Sequence, residues 1–143
     1  MIGSFPCPYG ETQMPPVIEF PLDLPDVRIV ATDLSEAAIT IRVESTRSGT
    51  RCRQCGAQIE DFHGYGERLR LRHLPILGRP VFIEVRPRRY RCPFCEDHPT
   101  TTQQLDWYEA RAPHTKAYDQ WLLRLLIGST PAKERRAIAA PAR

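Results

Sequence analysis

The chain has 143 residues, 41% of them hydrophobic and 26% charged, with 14 prolines, 8% aromatics and a net charge of +3. That length suits one domain, or one small domain with appendages, and so few large side chains leave a core that gains from a metal or a cross-link. No apolar run nears the ~20 residues of a bilayer span, and the N-terminus has neither the basic start nor the apolar stretch of a secretion signal, so a cytoplasmic protein is expected, with no membrane partner and no small-molecule substrate.

Residues 1–25 are punctuated by Pro6, Pro8, Pro15, Pro16, Pro21 and Pro25 and read as an extended arm. Cys7 stands alone in it and is expected to be a free thiol. Two β-branched runs follow, from Val27 to Ala31 and from Ala38 to Thr46. The second alternates Ile39, Ile41 and Val43 with Thr40, Arg42 and Glu44, as a strand with one buried face does. Asp33 to Glu36 supplies the turn of a hairpin.

Next comes Cys52-Arg-Gln-Cys55-Gly56, then a glycine-bearing turn at Gly64-Tyr65-Gly66. From Arg68 to Leu74 the chain alternates strictly, with Leu69 and Leu71 on one face and Arg68, Arg70 and Arg72 on the other. Pro75 to Pro80 reads as a loop and Val81 to Val85 as a further strand. Pro87 marks a bulge or an edge position. The strand is expected to resume through Arg88-Arg89-Tyr90-Arg91 and to deliver the second knuckle, Cys92-Pro-Phe-Cys95. After a polar stretch, Tyr118, Trp121, Leu122, Leu125 and Leu126 recur at helical spacing between His114 and Ile127, with Thr115 as N-cap. The end after Ile127 is rich in Ala and Arg and broken by Pro131 and Pro141.

The domain plan is therefore an arm (1–25), a β-hairpin plus zinc-ribbon domain (26–98), a linker (99–113), an amphipathic helix (114–127) and an irregular tail (128–143). The fold class is α+β: a small antiparallel β zinc ribbon with an N-terminal hairpin and a C-terminal helix.

Cytosolic thiols stay reduced, so paired cysteines favour a metal over disulfides. Two residues between thiolates let a tight turn aim both sulfurs at one ion, and Gly56 suits the positive-φ position that closes such a knuckle. The chain between the pairs is hairpin-like and can bring them together. Cys52, Cys55, Cys92 and Cys95 are thus the expected ligands of a structural Zn²⁺, with no open position for catalysis. A thioredoxin-type redox pair would need a helix after one CxxC, and neither is followed by a helical period. Four cysteines alone leave an iron–sulfur centre open as the alternative. His98 is the nearest substitute ligand, His63 and His73 are expected to hydrogen-bond or to meet phosphate, and His114 to sit at the helix entrance.

Charge is uneven along the chain. Between Tyr65 and Cys92 stand Arg68, Arg70, Arg72, Arg79, Arg86, Arg88, Arg89 and Arg91 against only Glu67 and Glu84. Guanidinium groups bind phosphate and guanine edges bidentately, so these eight are the candidate DNA-binding residues. Tyr65 and Tyr90 are expected to pack beneath the arginine stems, with stacking on bases as the alternative.

Three stretches together carry a family resemblance: Cys52-x-x-Cys55-Gly56, the run from Arg72 to Pro80, and the run from Arg88 to Cys95. With Thr100-Thr-Thr-Gln103, Asp106-Trp-Tyr-Glu109 and the run from Pro113 to Tyr118, they resemble the N-terminal zinc-binding domain of the ISL-three group of bacterial insertion-sequence transposases, over residues 20–127. The resemblance implies a module that engages transposon ends, ahead of a helix-turn-helix and a catalytic domain that cuts DNA with three metal-binding carboxylates. After Ile127 the chain departs from that pattern, reading Gly128-Ser-Thr-Pro131. The expectation is an N-terminal transposase fragment, not itself an enzyme, that binds DNA. A protein-interaction or self-association module, with homo-oligomers, is the competing expectation.

Overall fold

The computed structural model describes residues 16, 17 and 19–128. The readings for the arm around Cys7 and for the tail beyond Gly128 lie outside the described residues.

Three small sheets and one helix make up the fold. The largest sheet has four strands in the order β1-β2-β7-β6: β1 (Val27–Leu34), β2 (Ile39–Ser45), β7 (Arg79–Val85) and β6 (Leu69–Ile76). β1 and β2 are antiparallel, with a bulge between Ile29 and Ala31, and β6 and β7 are antiparallel across a tight turn at Leu77 and Gly78. The two hairpins join through β2 and β7, which run parallel with Ile39 opposite Val81 and Val43 opposite Val85. Alternation explains why they join. Ile39, Ile41 and Val43 line up beside Val81, Ile83 and Val85, with Leu71 beyond, and all seven are buried. Neither hairpin could bury that face alone.

The opposite face is polar. Arg42 and Arg70 approach Glu84 at 3.7 and 3.8 Å, Arg28 pairs with Glu44, and the Arg70 guanidinium lies 4.2 Å from the Phe82 ring centroid.

Residues 99–113, expected as a linker, contribute a strand and part of the core. β9 (Thr100–Thr102) pairs with β8 (Arg88–Arg91), and Leu105, Trp107 and Tyr108 are buried in the apolar cluster of the four-stranded sheet. Buried Gln103 donates from Nε2 to the carbonyls of Arg47 (3.0 Å) and Gly49 (2.8 Å), tying this stretch to the chain leaving β2.

The helix α1 runs over Lys116–Gly128. Thr115 caps it: its Oγ1 accepts the Tyr118 amide at 3.2 Å and also meets His73 Nδ1 at 2.8 Å inside the core. His114 stands at the entrance, 3.1 Å from Asp119. His73 is therefore a core histidine, and burial lowers its pKa, partly offset by the Leu22 carbonyl.

Candidate metal centre and its arginine-rich surround

The two smaller sheets build the ribbon. β3 (Thr50–Arg51) and β4 (Gln58–Ile59) form a short antiparallel pair whose connection is the first knuckle, Cys52 to Gly56. β5 (Asp61–Tyr65), β8 and β9 form a three-stranded sheet, and the second knuckle connects β8 to β9. Both knuckles close the same way. The Cys52 amide donates to the Ala57 carbonyl at 2.9 Å, and the Cys92 amide to the Pro99 carbonyl at 3.0 Å. Gly56 takes φ +74°, the left-handed value expected for it. In the second knuckle the comparable residue is His98, at φ +45°, with Nδ1 3.0 Å from the Cys92 carbonyl. His98 thus shapes the turn and is not in the cysteine cluster.

The strand expected to resume after Pro87 does not continue in the same sheet. β7 ends at Val85, and the chain crosses at Arg86 and buried Pro87 into the three-stranded sheet. A residue with no amide hydrogen suits that crossing, since it has no ladder bond to lose.

The sulfurs of Cys52, Cys55, Cys92 and Cys95 all lie within 4.8 Å of one another. Cys52 Sγ is 3.9 Å from Cys95 Sγ, and Cys55 Sγ is 3.6 Å from Cys92 Sγ. A zinc–sulfur bond of about 2.3 Å gives a tetrahedral S–S edge of about 3.8 Å, so the donor set fits zinc in both size and chemistry. Backbone amides favour thiolate on the first knuckle: those of Cys55 and Gln54 lower the Cys52 pKa to about 6. The Ala57 amide acts in the same direction on Cys55, but burial and the neighbouring sulfurs outweigh it, and its pKa rises. Burial, then the surrounding sulfurs, raise that of Cys95. Sulfurs this close resist shared negative charge until a cation neutralises them. Around the site Cys52, Ile59, Tyr90 and Cys92 form a buried cluster of their own.

The eight arginines do not share one face. Arg70 and Arg72 stand on β6 over Phe82, with Arg72 also 5.5 Å from the Tyr118 ring centroid. Arg79 begins β7 and lines an apolar hollow beside Leu77. On β8, Arg89 donates to Thr100 Oγ1 at 2.7 Å and Arg91 to Asp61 at 3.2 Å. Arg88 lies opposite Tyr65, Arg86 has its guanidinium 5.4 Å from the Tyr65 ring centroid, and Arg68 lines a second, shallow hollow with Tyr65 and Arg86. Tyr65 thus packs with an arginine, and Tyr90 is buried. Two residues not singled out from sequence join this surround. Arg53 projects from the first knuckle, its amide donating to Thr101 Oγ1 at 3.1 Å, and Phe62 contacts both tyrosines. Arg53 carried a signal, since it lies inside a CxxC; Phe62 had no periodic neighbour to mark it.

Residues 48–95, roughly a third of the chain, match the family model described as the zinc-finger of transposase IS204/IS1001/IS1096/IS1165. No curated protein and no solved structure matches the chain. Among the described residues, no helix is long and apolar enough to cross a membrane. The matched stretch is the one that bears both knuckles, so the segment 48–95 resembles the zinc ribbon of these transposases, and its four clustered cysteines hold a structural Zn²⁺ as cofactor.

Proposed function

We propose that the chain is a zinc-dependent, non-catalytic DNA-binding module of a transposase, serving to recognise transposon ends. One observation carries this reading: the ribbon's surround holds guanidinium groups that no carboxylate neutralises. Among the described residues, Arg53, Arg68, Arg86 and Arg88 have no acidic side chain within 4.0 Å. Guanidinium groups left without carboxylate partners are the footprint of a phosphate backbone. Zinc would fix the knuckles, and with four thiolates around it would have no position for substrate.

The proposed DNA contacts, drawn from more than one face, are Arg68, Arg70, Arg72, Arg79, Arg86, Arg88, Arg89 and Arg91. Arg70 and Arg91 would contribute least, because each must first leave a carboxylate. The working unit would run from residue 26 into α1, since Leu105, Trp107 and Tyr108 pack on the four-stranded sheet. It would act in the cytoplasm, where thiols stay reduced. Fluorescence anisotropy of a labelled duplex across a salt series tests the reading. The log–log slope should be about −0.9 per phosphate contact, and Arg88→Gln should make it shallower by about one. A flat response rejects DNA binding.

A second reading, a protein-interaction or self-association module, draws on exposed apolar side chains: Leu123 and Leu125 of α1, and Ile29, Val30 and Leu34 of β1. Replacing the eight arginines by Gln separates the two. DNA binding should vanish under the first reading, whereas oligomers seen by sedimentation would persist under the second.

A further inference from the structure

We infer that the ribbon carries, beside its zinc, a stacking platform for unpaired DNA nucleotides, built from Phe62 and Tyr65; this rests on the DNA-binding reading and deepens it. In a regular strand, residues three apart point to opposite faces. β5 breaks that rule. Its register with β8 shifts between Phe62 and Tyr65, and Gly64 within the shift takes φ +87°. The extra residue turns Tyr65 back to the face of Phe62, so the two rings meet edge to face with centroids 5.3 Å apart.

Both residues are nonetheless about half exposed, at 49% and 46%. They are also held from beneath and beside. Phe62 leans on buried Tyr90 at 6.2 Å, which belongs to the cluster around the cysteines, and the Arg86 guanidinium lies over Tyr65. An aromatic pair backed by the layer around the cysteines yet left half exposed is an unusual use of side chains that would lower the free energy by burial.

Charge selects the occupant. Arg88 shares this face of β8 with Tyr90, opposite Tyr65, while Arg68 and Arg86 line the adjoining hollow. None of the three has a carboxylate partner among the described residues. The two acids of that hollow are already engaged, Glu44 with Arg28 and Glu84 with Arg42 and Arg70. Rings flanked by unpaired guanidinium groups match a strand whose phosphates run beside exposed base faces. In an intact duplex those faces are covered by their neighbours. Nor are the rings wedges: they stand in a strand, flush with a sheet, not at a loop tip.

The test uses the full zinc-loaded chain, a fluorescein-labelled oligothymidylate and a labelled duplex at one salt concentration. The double variant Phe62→Leu/Tyr65→Leu keeps apolar bulk and removes both π-faces. It should weaken single-strand binding about tenfold or more and duplex binding less than about twofold, while Tyr65→Phe should bind both like the parent. Should the double variant lose zinc, Tyr65→Leu alone, which leaves the Phe62–Tyr90 contact in place, decides by the same criterion. Undiminished single-strand binding by the variant overturns the platform. So does an equal loss on duplex, or a parent that binds duplex but not single strand. A parent that binds neither DNA removes the DNA-binding reading itself.

Discussion

The two halves of this molecule reach order by different means. The four-stranded sheet buries an unbroken apolar layer in which Val81 and Ile83 are fully enclosed, and it is held by side chains reaching it from residues 105–108. The ribbon has paired strands as short as Thr50–Arg51 and a buried cluster of only Cys52, Ile59, Tyr90 and Cys92. Two-residue strands cannot offset their own ordering entropy. What the ribbon lacks in apolar area, a metal must supply. A ribbon held by metal can carry Arg88, Arg89 and Arg91 on β8 without an extended apolar face of its own.

Removing the metal should act on the ribbon first. Apparent zinc-binding energies of ~10–16 kcal/mol act as folding energy in such sites, so a strong chelator should abolish amide protection at Ile59 and Tyr90 while Ile83 keeps much of its own. Hydrogen exchange read by NMR checks this. Equal loss in both halves would mean a single cooperative unit. Cys92→Ser, at a fully buried ligand, should likewise end stoichiometric zinc binding in metal analysis.

The converse experiment acts on the sheet. Ile83→Ala removes methyl groups from a site with no exposure and should cost about 2–5 kcal/mol in urea unfolding, with one zinc per chain retained below the transition. A smaller effect belongs to the seam between the two. Gly49 has φ +79°, and a Cβ there would come within 2.5 Å of the Ile59 carbonyl oxygen. Gly49→Ala should therefore cost about 1–3 kcal/mol and lower zinc affinity, measured by competition with a chromophoric chelator.

Thr115→Ala loses the cap of α1 and the His73 contact, for about 1 kcal/mol. His73 itself gives a pH signature. Its folded pKa lies below the ordinary 6.5, so the unfolded chain takes up the proton first. The stability it confers is complete above pH 6.5 and drains as the pH falls through the lower folded value. The difference in Tm between the parent and His73→Gln should narrow on acidification; a constant gap would show that His73 does not titrate this way.

What was legible in the sequence was local. The CxxC spacing and Gly56 mark the knuckles, because a tight turn dictates both. The alternation of Ile39, Ile41 and Val43 declares a buried face, and Thr115 declares the start of a helix. Partner choice between distant strands was not legible: nothing local in β2 or β7 specifies that they run side by side and parallel. The stretch 103–108 hid for another reason. Gln103, Leu105, Trp107 and Tyr108 are buried without a regular element, so no period announces them. The crossing at Pro87 was visible as a break in strand pattern, but its direction depends on Tyr90 and the second knuckle, which are distant in sequence from Cys52.

The chain visits the four-stranded sheet and the ribbon alternately: β1 and β2, then β3 to β5, back for β6 and β7, and out again for β8 and β9. The span 48–95 is consequently no portable cassette, for cutting it out would carry off two strands of the neighbouring sheet and leave β9 behind. Such interleaving raises contact order and slows folding. On an emerging nascent chain, Cys52 and Cys55 must wait for the far side of the β6–β7 turn before their coordination shell can close. Metal capture therefore comes late in synthesis, and a cell short of zinc would accumulate chains with the four-stranded sheet largely made and the ribbon still open.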